Sequence, residues 1–343
     1  MFKRILVPLD GSARAEKAMP VAARLARASG GSVLLAQAAA IPIMYDCYTG
    51  PSFMAEMIDA EIGNAQDYLK TMARAGALAG IPTEITALFG AAAQTLLSMA
   101  SLFEADLVVM TSQGKTGMKR WVLGSVSQKV ARHSPIPVLM LHEAGTVPVG
   151  ASPDGSPVRA IVTLDGSVLA KTALEPAAQL IAALSAPAPG ALHLLRVVRP
   201  PEFDEKKTDR DSIVRMQEQA LHNAKTYMQS IVEHLRESFV GKLNLALTWS
   251  VALSDDVADA IIQIAESGED AASAGMFGRC DVIAMATHGR TGLQHWVLGS
   301  VTERVLSATR LPLLIVRPVE TAFQKDVEEQ VANEALISGR VSV

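Results

Sequence analysis

The chain contains 343 residues, and its 31 Lys and Arg nearly balance its 35 Asp and Glu, for a formal net charge of −4. This length predicts about two domains, and the charges form no long single-sign block, which argues against nucleic acid or an anionic membrane as partner. Hydrophobic residues make up 49% of the chain and aromatic residues 4%, a balance typical of packed helices and buried parallel strands.

The first half of the sequence alternates apolar runs with helical patterns. The runs predict strands at residues 4–9, 32–38, 83–89, 105–111 and 137–141, and helices at 13–28, 53–79, 91–102 and 126–133 lie between them. The second half repeats this order, with strands near 159–164, 191–198, 243–251, 281–286 and 312–316. Pro20 and Pro176 fall inside the first helix of each half, where a kink is expected.

Two sequence segments occur twice in the same order, which indicates an internal duplication. ILVPLDGS from Ile5 returns as IVTLDGS from Ile161, and TSQGKTGMKRWVLGSVSQKV from Thr111 returns as ATHGRTGLQHWVLGSVTERV from Ala286. We predict an α/β chain of two tandem Rossmann-like domains, each a five-stranded parallel sheet of order 3-2-1-4-5 with helices on both faces. The predicted units are domain 1 at 1–145, a Gly/Pro/Ser-rich linker at 146–157, domain 2 at 158–318 and a tail at 319–343.

The cysteines and the apolar segments indicate the compartment. Cys47 and Cys280 lack the spacing of a zinc site. No segment approaches the roughly 20 apolar residues of a membrane span. We therefore expect a cytoplasmic protein without membrane contact.

The repeated Asp-Gly-Ser segments come directly after strand one of each half. In an open parallel sheet, ligands bind beyond the carboxyl ends of the strands, where Asp10 and Asp165 could accept hydrogen bonds from a ribose hydroxyl or an adenine amino group. Asp-Gly is also ordinary turn chemistry, and the Asp or the following Ser can simply cap the next helix. Both interpretations remain open at this stage.

The glycine-rich segments after strand four end at a predicted helix start. Gly124 precedes Ser125, Gly299 precedes Ser300, and free amides at such a start attract phosphate. Ser125 with Gln128, and the matching Ser and Glu in the second half, also spell a capping box. Because a capping box does not explain the repeated glycines and the fixed loop length, we favour an anion site. No residue pattern predicts a catalytic group or a protein-held metal.

At these residues the chain resembles the universal stress protein family, in its tandem form with two domains in one polypeptide. The nucleotide-binding branch of that family carries Gly-x2-Gly-x9-Gly-(Ser/Thr) after strand four, and Gly114 and Gly289 each precede such a nine-residue spacing. The first glycine of the pattern is Thr111 in one half and Ala286 in the other. A Cβ there would crowd the ligand, more so with branched Thr, so the second half is the stronger binding candidate.

The resemblance implies contacts to an adenine nucleotide in both halves. The implied residues are Pro8, Leu9, Asp10, Gly114, Gly124, Ser125 and Val126 in the first half, and Thr163, Leu164, Asp165, Val197, Gly289, Gly299, Ser300 and Val301 in the second. The position of Val197 at the end of strand two falls on Gln37 in the first half, which departs from the apolar residue of the family. The implied ligand is ATP, or ADP or AMP, with Mg²⁺ as a companion of the triphosphate.

The resemblance implies a cytosolic stress-response regulator that binds an adenine nucleotide with little or no hydrolysis. The edges at strand five resemble the places where family domains pair, so we expect the two halves to pair with each other and two chains to form a homodimer that meets a regulatory protein partner. The alternative is a nucleotide-independent interaction module with decayed sites. An adenylyl-transferring enzyme is the weakest interpretation, since no HxGH-type or KMSKS-type segment occurs.

Overall fold

A computed structural model gives the fold and describes residues 2–40, 51–112, 124–142, 156–200, 210–271, 275–287 and 298–318. Residues 2–142 are called the first half below and residues 156–318 the second half. Most of the predicted linker and the whole predicted tail lie outside the described residues. The domain boundaries therefore stay a prediction.

Strands and helices alternate along both halves. The strands of the first half are β1 (Arg4–Pro8), β2 (Ser32–Ala39), β3 (Thr83–Phe89), β4 (Leu107–Thr111) and β5 (Val138–Leu141). Its helices are α1 (Ala13–Glu16), α2 (Ala18–Ser29), α3 (Pro51–Ala73), α4 (Ala92–Leu102) and α5 (Ser125–His133). The strands of the second half are β6 (Arg159–Thr163), β7 (Gly190–Val198), β8 (Leu245–Leu253), β9 (Glu269–Ala271), β10 (Gly275–Phe277), β11 (Val282–Ala286) and β12 (Leu313–Val316). Its helices are α6 (Val168–Lys171), α7 (Leu174–Ser185), α8 (Arg210–Glu237), α9 (Val257–Ser267) and α10 (Ser300–Ala308).

The strand order confirms the prediction for each half. The first half runs β3-β2-β1-β4-β5 and the second runs β8-β7-β6-β11-β12, with parallel pairing inside each half. The two sheets are not separate, however, because β5 and β12 pair antiparallel and join them into one ten-stranded sheet. The expected pairing of the halves through strand five is thus confirmed. β9 and β10 form an additional antiparallel hairpin in the insertion after α9.

Helices cover both faces of the sheet because its strands are apolar on both sides. Along β1, Ile5 and Val7 pack in a cluster with α2 and α3, whereas Leu6 packs on the opposite face with α4 and α5. At the junction of the halves, Leu139 lies opposite Leu314 and both are fully buried. This continuous core holds the carboxyl ends of the central strands in fixed positions.

The first helix of each half is broken where proline was expected to kink it. α1 ends at Glu16 and α2 begins at Ala18, so that Pro20 is the third residue of the new helix. α6 and α7 repeat this arrangement around Pro176. Proline has no N–H for the carbonyl four residues earlier, and it is tolerated only in a first turn. The chain therefore restarts the helix two residues before each proline.

Candidate functional site: a cleft beyond the carboxyl ends of β6, β7 and β11

A cleft of about 610 Å³ opens in the second half where the parallel strands end. β6 lies between β7 and β11 in the sheet, so its carboxyl end is the point where strand order reverses and crevices form. All of the described residues that the sequence predicted for this half line that one cleft: Thr163, Leu164, Asp165, Val197, Gly299, Ser300 and Val301. Asp165 and Ser300, which lie far apart in the sequence, thus face the same space.

The turn after β6 is held by the side chains of its Asp and Ser. Oδ1 of Asp165 accepts hydrogen bonds from the backbone N–H of Ser167 at 2.9 Å and from its hydroxyl at 2.6 Å. The Ser167 hydroxyl oxygen in turn accepts the N–H of Ala170 at 3.1 Å and caps α6. Gly166 between them has φ of 91°, a conformation that favours glycine. The hydrogen bonds of Oδ1 thus agree with the interpretation of Asp165 as a turn residue. Asp165 also lines the cleft.

The first half repeats the turn with the same geometry. Oδ1 of Asp10 accepts the backbone N–H of Ser12 at 3.0 Å and its hydroxyl at 2.6 Å, and Ser12 caps α1 through the N–H of Ala15. Pro8 ends β1 and Leu9 is buried behind the turn. The duplicated sequence therefore builds a duplicated backbone frame at the two strand ends.

Glycine, and not serine, is the cap residue of α10 and of α5. Gly299 and Gly124 occupy the N-cap positions with no side-chain cap, and Ser300 and Ser125 are the first helical residues. The capping-box alternative is therefore wrong, because these serines lie one position too far into the helix to cap it. The N–H of Gly299 donates to the carbonyl oxygen of Thr287 at 2.8 Å, which ties the helix start to the end of β11.

The first amides of α10 have the properties of an anion-binding helix start. Within the described part of the chain, neither backbone bonds nor a capping side chain take the N–H groups of Ser300 and Val301. Such groups, together with the helix dipole, attract negative charge. The hydroxyl of Thr302 donates to the carbonyl oxygen of Ala286 at 3.0 Å, and Thr302 lines the cleft together with Ser300 and Val301. The sequence analysis missed Thr302, whose signal was a hydroxyl residue at the third helical position in both halves.

The remaining predicted residues lie in the first half or outside the described residues. Gly124, Ser125 and Val126 form the start of α5, and the N–H of Gly124 donates to the carbonyl oxygen of Ser112 just after β4. Since β4 adjoins β1, this helix start and the Asp10 turn follow neighbouring strands. Gly114 and Gly289 are outside the described residues, and their proposed contacts stay predictions.

Strand register corrects one equivalence between the halves. Pro8 pairs with Ala36, and the matching Thr163 pairs with Leu195. Counting onward, Val197 corresponds to Ala38 and not to Gln37. Because neighbouring residues of a strand point to opposite faces, the sequence alignment placed Gln37 on the wrong side of the sheet. The apolar position is therefore kept in both halves, and Gln37 corresponds to Arg196.

Residues that the sequence analysis did not single out form the other wall of the cleft. Arg196 and Arg199 come from the end of β7, and Ala220 and Asn223 come from α8. No repeated motif marks them, because the first half carries different residues at the positions matching the arginines. Their only sequence signal was two arginines at the end of a buried strand.

Among the described residues, no group of three or more His, Cys, Asp or Glu side chains is placed to hold a metal ion. No helix in this part of the chain is long and apolar enough to cross a membrane. Asp165 is the carboxylate among the residues that line the cleft. Mg²⁺ commonly binds one or two carboxylates together with substrate phosphates. The chemistry of the cleft thus suits Mg²⁺ only as a companion of a bound phosphate chain.

The paired sheets, with a crevice at the switch point, define a tandem Rossmann-like α/β protein. The chain belongs to the universal stress protein family, whose family model matches residues 1–142 and again 159–317. A universal stress protein of Thermus aquaticus, encoded in the 3′ region of QAH/OAS sulfhydrylase, is 37% identical over 143 residues, which are 41% of this chain and 99% of that protein.

Other relatives match over more than one half of the chain. Universal stress protein Rv2005c of Mycobacterium tuberculosis is 26% identical over 221 residues, and the match spans 62% of each chain. A universal stress protein structure from Archaeoglobus fulgidus covers 92% of this chain and 98% of its own, with a TM-score of 0.58 and 18% identity. That structure shares the fold.

Proposed function

We propose that the second-half cleft binds an adenine nucleotide, ATP, ADP or AMP, with its phosphates at the start of α10. The observation that carries this proposal is the convergence of the Asp165 turn, Val197 and the α10 amides on one cleft. A volume of about 610 Å³ lies within the roughly 300–1,000 Å³ typical of small-molecule sites. In this proposal, apolar Leu164 and Val197 pack near the base while Ser300 and Val301 donate to phosphate.

The start of α10 also offers a route from the cleft to the first half. The N–H of Glu303 donates to the carbonyl oxygen of Gly299 at 2.9 Å, and its carboxylate accepts a hydrogen bond from Arg132 of α5. A phosphate bound to the first amides of α10 would therefore contact the same helical turn that carries Glu303, the partner of Arg132. We infer a cytoplasmic regulatory protein that reports nucleotide state, forms a homodimer and meets a protein partner, with little or no hydrolysis.

Acid extraction of the purified full chain, followed by chromatography of the supernatant, tests the proposal. We expect adenine nucleotide in stoichiometric amount, or, if the protein purifies empty, saturable binding of ATP, ADP or AMP by calorimetry. Mg²⁺ is added and omitted in parallel, because it is expected to affect ATP more than AMP. No extracted nucleotide together with no titratable affinity would leave the alternative, an interaction module whose sites have decayed.

A further inference from the structure

One wall of the second-half cleft is formed by a positively charged group that an aromatic ring holds in place. The guanidinium carbon of Arg196 lies 4.8 Å from the ring centroid of Tyr227 on α8, and Nζ of Lys171 lies 5.6 Å from the same centroid. Both distances are in the range of a cation–π contact. Arg196 is therefore oriented by its own half before any ligand arrives.

Arg196 also lies directly against the turn that carries Asp165. A Cβ built on Gly166 would be 3.0 Å from Nη2 of Arg196, which shows how closely the guanidinium approaches the turn, and the positive φ of Gly166 favours glycine there. Arg196 and the exposed Arg199 both line the cleft. The cleft is thus lined by two arginines, one of which lies against the Asp165 turn.

The first half carries no positive charge at the matching positions. By strand register and chain order, Lys171, Arg196 and Arg199 correspond to Glu16, Gln37 and Ala40, listed in the same order. The same backbone frame therefore stands without these cations. Their presence in the second half is not a requirement of the fold.

In the first half, the tyrosine at the matching position contacts a carboxylate and not a cation. The hydroxyl of Tyr68, which matches Tyr227, donates to Oε1 of Glu16 at 2.9 Å. Burial raises the pKa of Tyr68, and the carboxylates of Glu16 and Asp10 raise it further. Oε1 of Gln37 is buried and has no hydrogen-bond partner in the described part of the chain. This wall presents acceptor oxygens, which disfavour an anion.

The two anion-attracting features of the second half stand on opposite sides of β6. Arg196 lies near the end of β7, and Ser300 starts the helix after β11, with β6 between the two strands. Neighbouring strands are about 4.8 Å apart, so the two features are separated by on the order of 10 Å. A ligand that uses both must carry negative charge at two separate places.

We propose that Arg196 and Arg199 form a second anion subsite, so that this cleft selects an adenine nucleotide with phosphates on both sides of its ribose. The inference rests on the proposed function, since one phosphate is taken to lie at the start of α10. Guanidinium groups bind phosphate oxygens through paired, charge-assisted hydrogen bonds. The first half, with Gln37 and Ala40, lacks this subsite.

Calorimetric titration of the full chain with AMP, ATP and adenosine 3′,5′-bisphosphate tests the subsite. We expect the bisphosphate to bind about tenfold more tightly than AMP, the ratio that one charge-assisted phosphate contact of about 1.5 kcal/mol gives. Arg196→Gln, which installs the residue of the first half, is expected to weaken the bisphosphate about tenfold more than AMP. Circular dichroism spectra and melting temperatures of the variants establish that they are folded.

Arg236→Gln serves as the charge-matched control. Arg236 lies 13 residues beyond Asn223 on the same helix, about 20 Å along its axis, so the bisphosphate preference should persist. Equal affinity of the wild type for AMP and the bisphosphate would overturn the subsite while leaving the proposed function standing. An equal loss of both ligands in Arg196→Gln would also overturn it. Failure of every adenine nucleotide to bind would overturn both proposals.

Discussion

The two halves of the chain share a backbone frame but differ in the side chains that face the ligand crevice. Asp10 and Asp165 hold the same turn with matching hydrogen bonds, and Gly124 and Gly299 begin matching helices. One wall of the crevice is basic in the second half, with Arg196, whereas the first half is acidic or neutral there. The duplicated halves thus share the residues that the backbone frame needs and differ at residues outside the repeated motifs, where we propose that ligand choice is made.

The largest effect is expected from filling the N-cap of α10. Gly299→Val places a side chain beside the amides of Ser300 and Val301, where phosphate is proposed to bind. Adenine nucleotide affinity of the second half should fall at least about 100-fold. A Cβ at residue 299 would lie 3.1 Å from the carbonyl oxygen of Thr287, so we also expect about 1 kcal/mol of destabilisation.

Gly124→Val makes the matched change in the first half and should leave the second-half affinity unaltered. Calorimetry on both variants and the wild type measures the difference. If Gly299→Val bound as the wild type does, the phosphate position at α10 would be wrong. Equal losses in both variants would show that the halves do not differ as proposed.

A smaller effect is expected from a histidine that the second half buries in its core. The ring of His193 on β7 lies between the hydroxyl oxygens of Thr248, 2.8 Å from Nδ1, and Ser250, 2.9 Å from Nε2. Burial, with a contribution from the positive charge of Arg159, lowers the pKa of His193 to about 3. Strand register matches His193 to Leu34, so the first half has no such group there.

The lowered pKa of His193 determines in which direction the free energy of unfolding changes with pH. In the unfolded chain this histidine takes up a proton near pH 6.5, but in the folded chain it stays neutral down to about pH 3. Its contribution to stability is therefore complete above pH 6.5 and decreases as pH falls from 6.5 towards 3. The slope is at most about 1.4 kcal/mol per pH unit.

Urea unfolding at pH 7.5 and 5.0 measures this slope. His193→Leu, which copies the first half, should lose less stability on acidification than the wild type, although it begins less stable because two hydroxyls lose their ring partner. If both proteins lost the same free energy between these pH values, His193 would not carry the effect.

The smallest effect is expected at the ion pair that joins the halves. Arg132 and Glu303 pair across the junction, but their side chains are 31% and 44% exposed. Water screens such pairs, so Arg132→Met should cost no more than about 1 kcal/mol of unfolding free energy. A double-mutant cycle with Glu303→Gln isolates the pair. A coupling free energy well above that value would show that the junction is stiffer than its exposure indicates.

The features that the sequence predicted best are those that follow from apolar pattern and duplication. The strands and their repeated order follow from buried apolar runs such as β4 and β11, whereas the pairing of the strand-five edges was expected from the family resemblance. The sequence left the capping-box alternative at α10 open, because Ser300 and Glu303 have the spacing of a capping box and only the backbone angles show that Gly299 is the N-cap. Sequence spacing does not carry that information.

The site was predicted only in part for a related reason. Motif residues such as Asp165 and Gly299 repeat and can be recognised, whereas Arg196 becomes a candidate only when strand pairing shows which face it occupies. A one-residue shift in the alignment of β2 with β7 made Gln37 the equivalent of Val197. Register, which is set by hydrogen bonding across the sheet, corrected it.

The most direct test is a crystal structure of the full chain with saturating ATP. We predict phosphate oxygens about 3 Å from the backbone nitrogens of Ser300 and Val301, with the base between Val197 and the Asp165 turn. Nucleotide bound elsewhere on the chain, with the start of α10 facing only solvent, would contradict it.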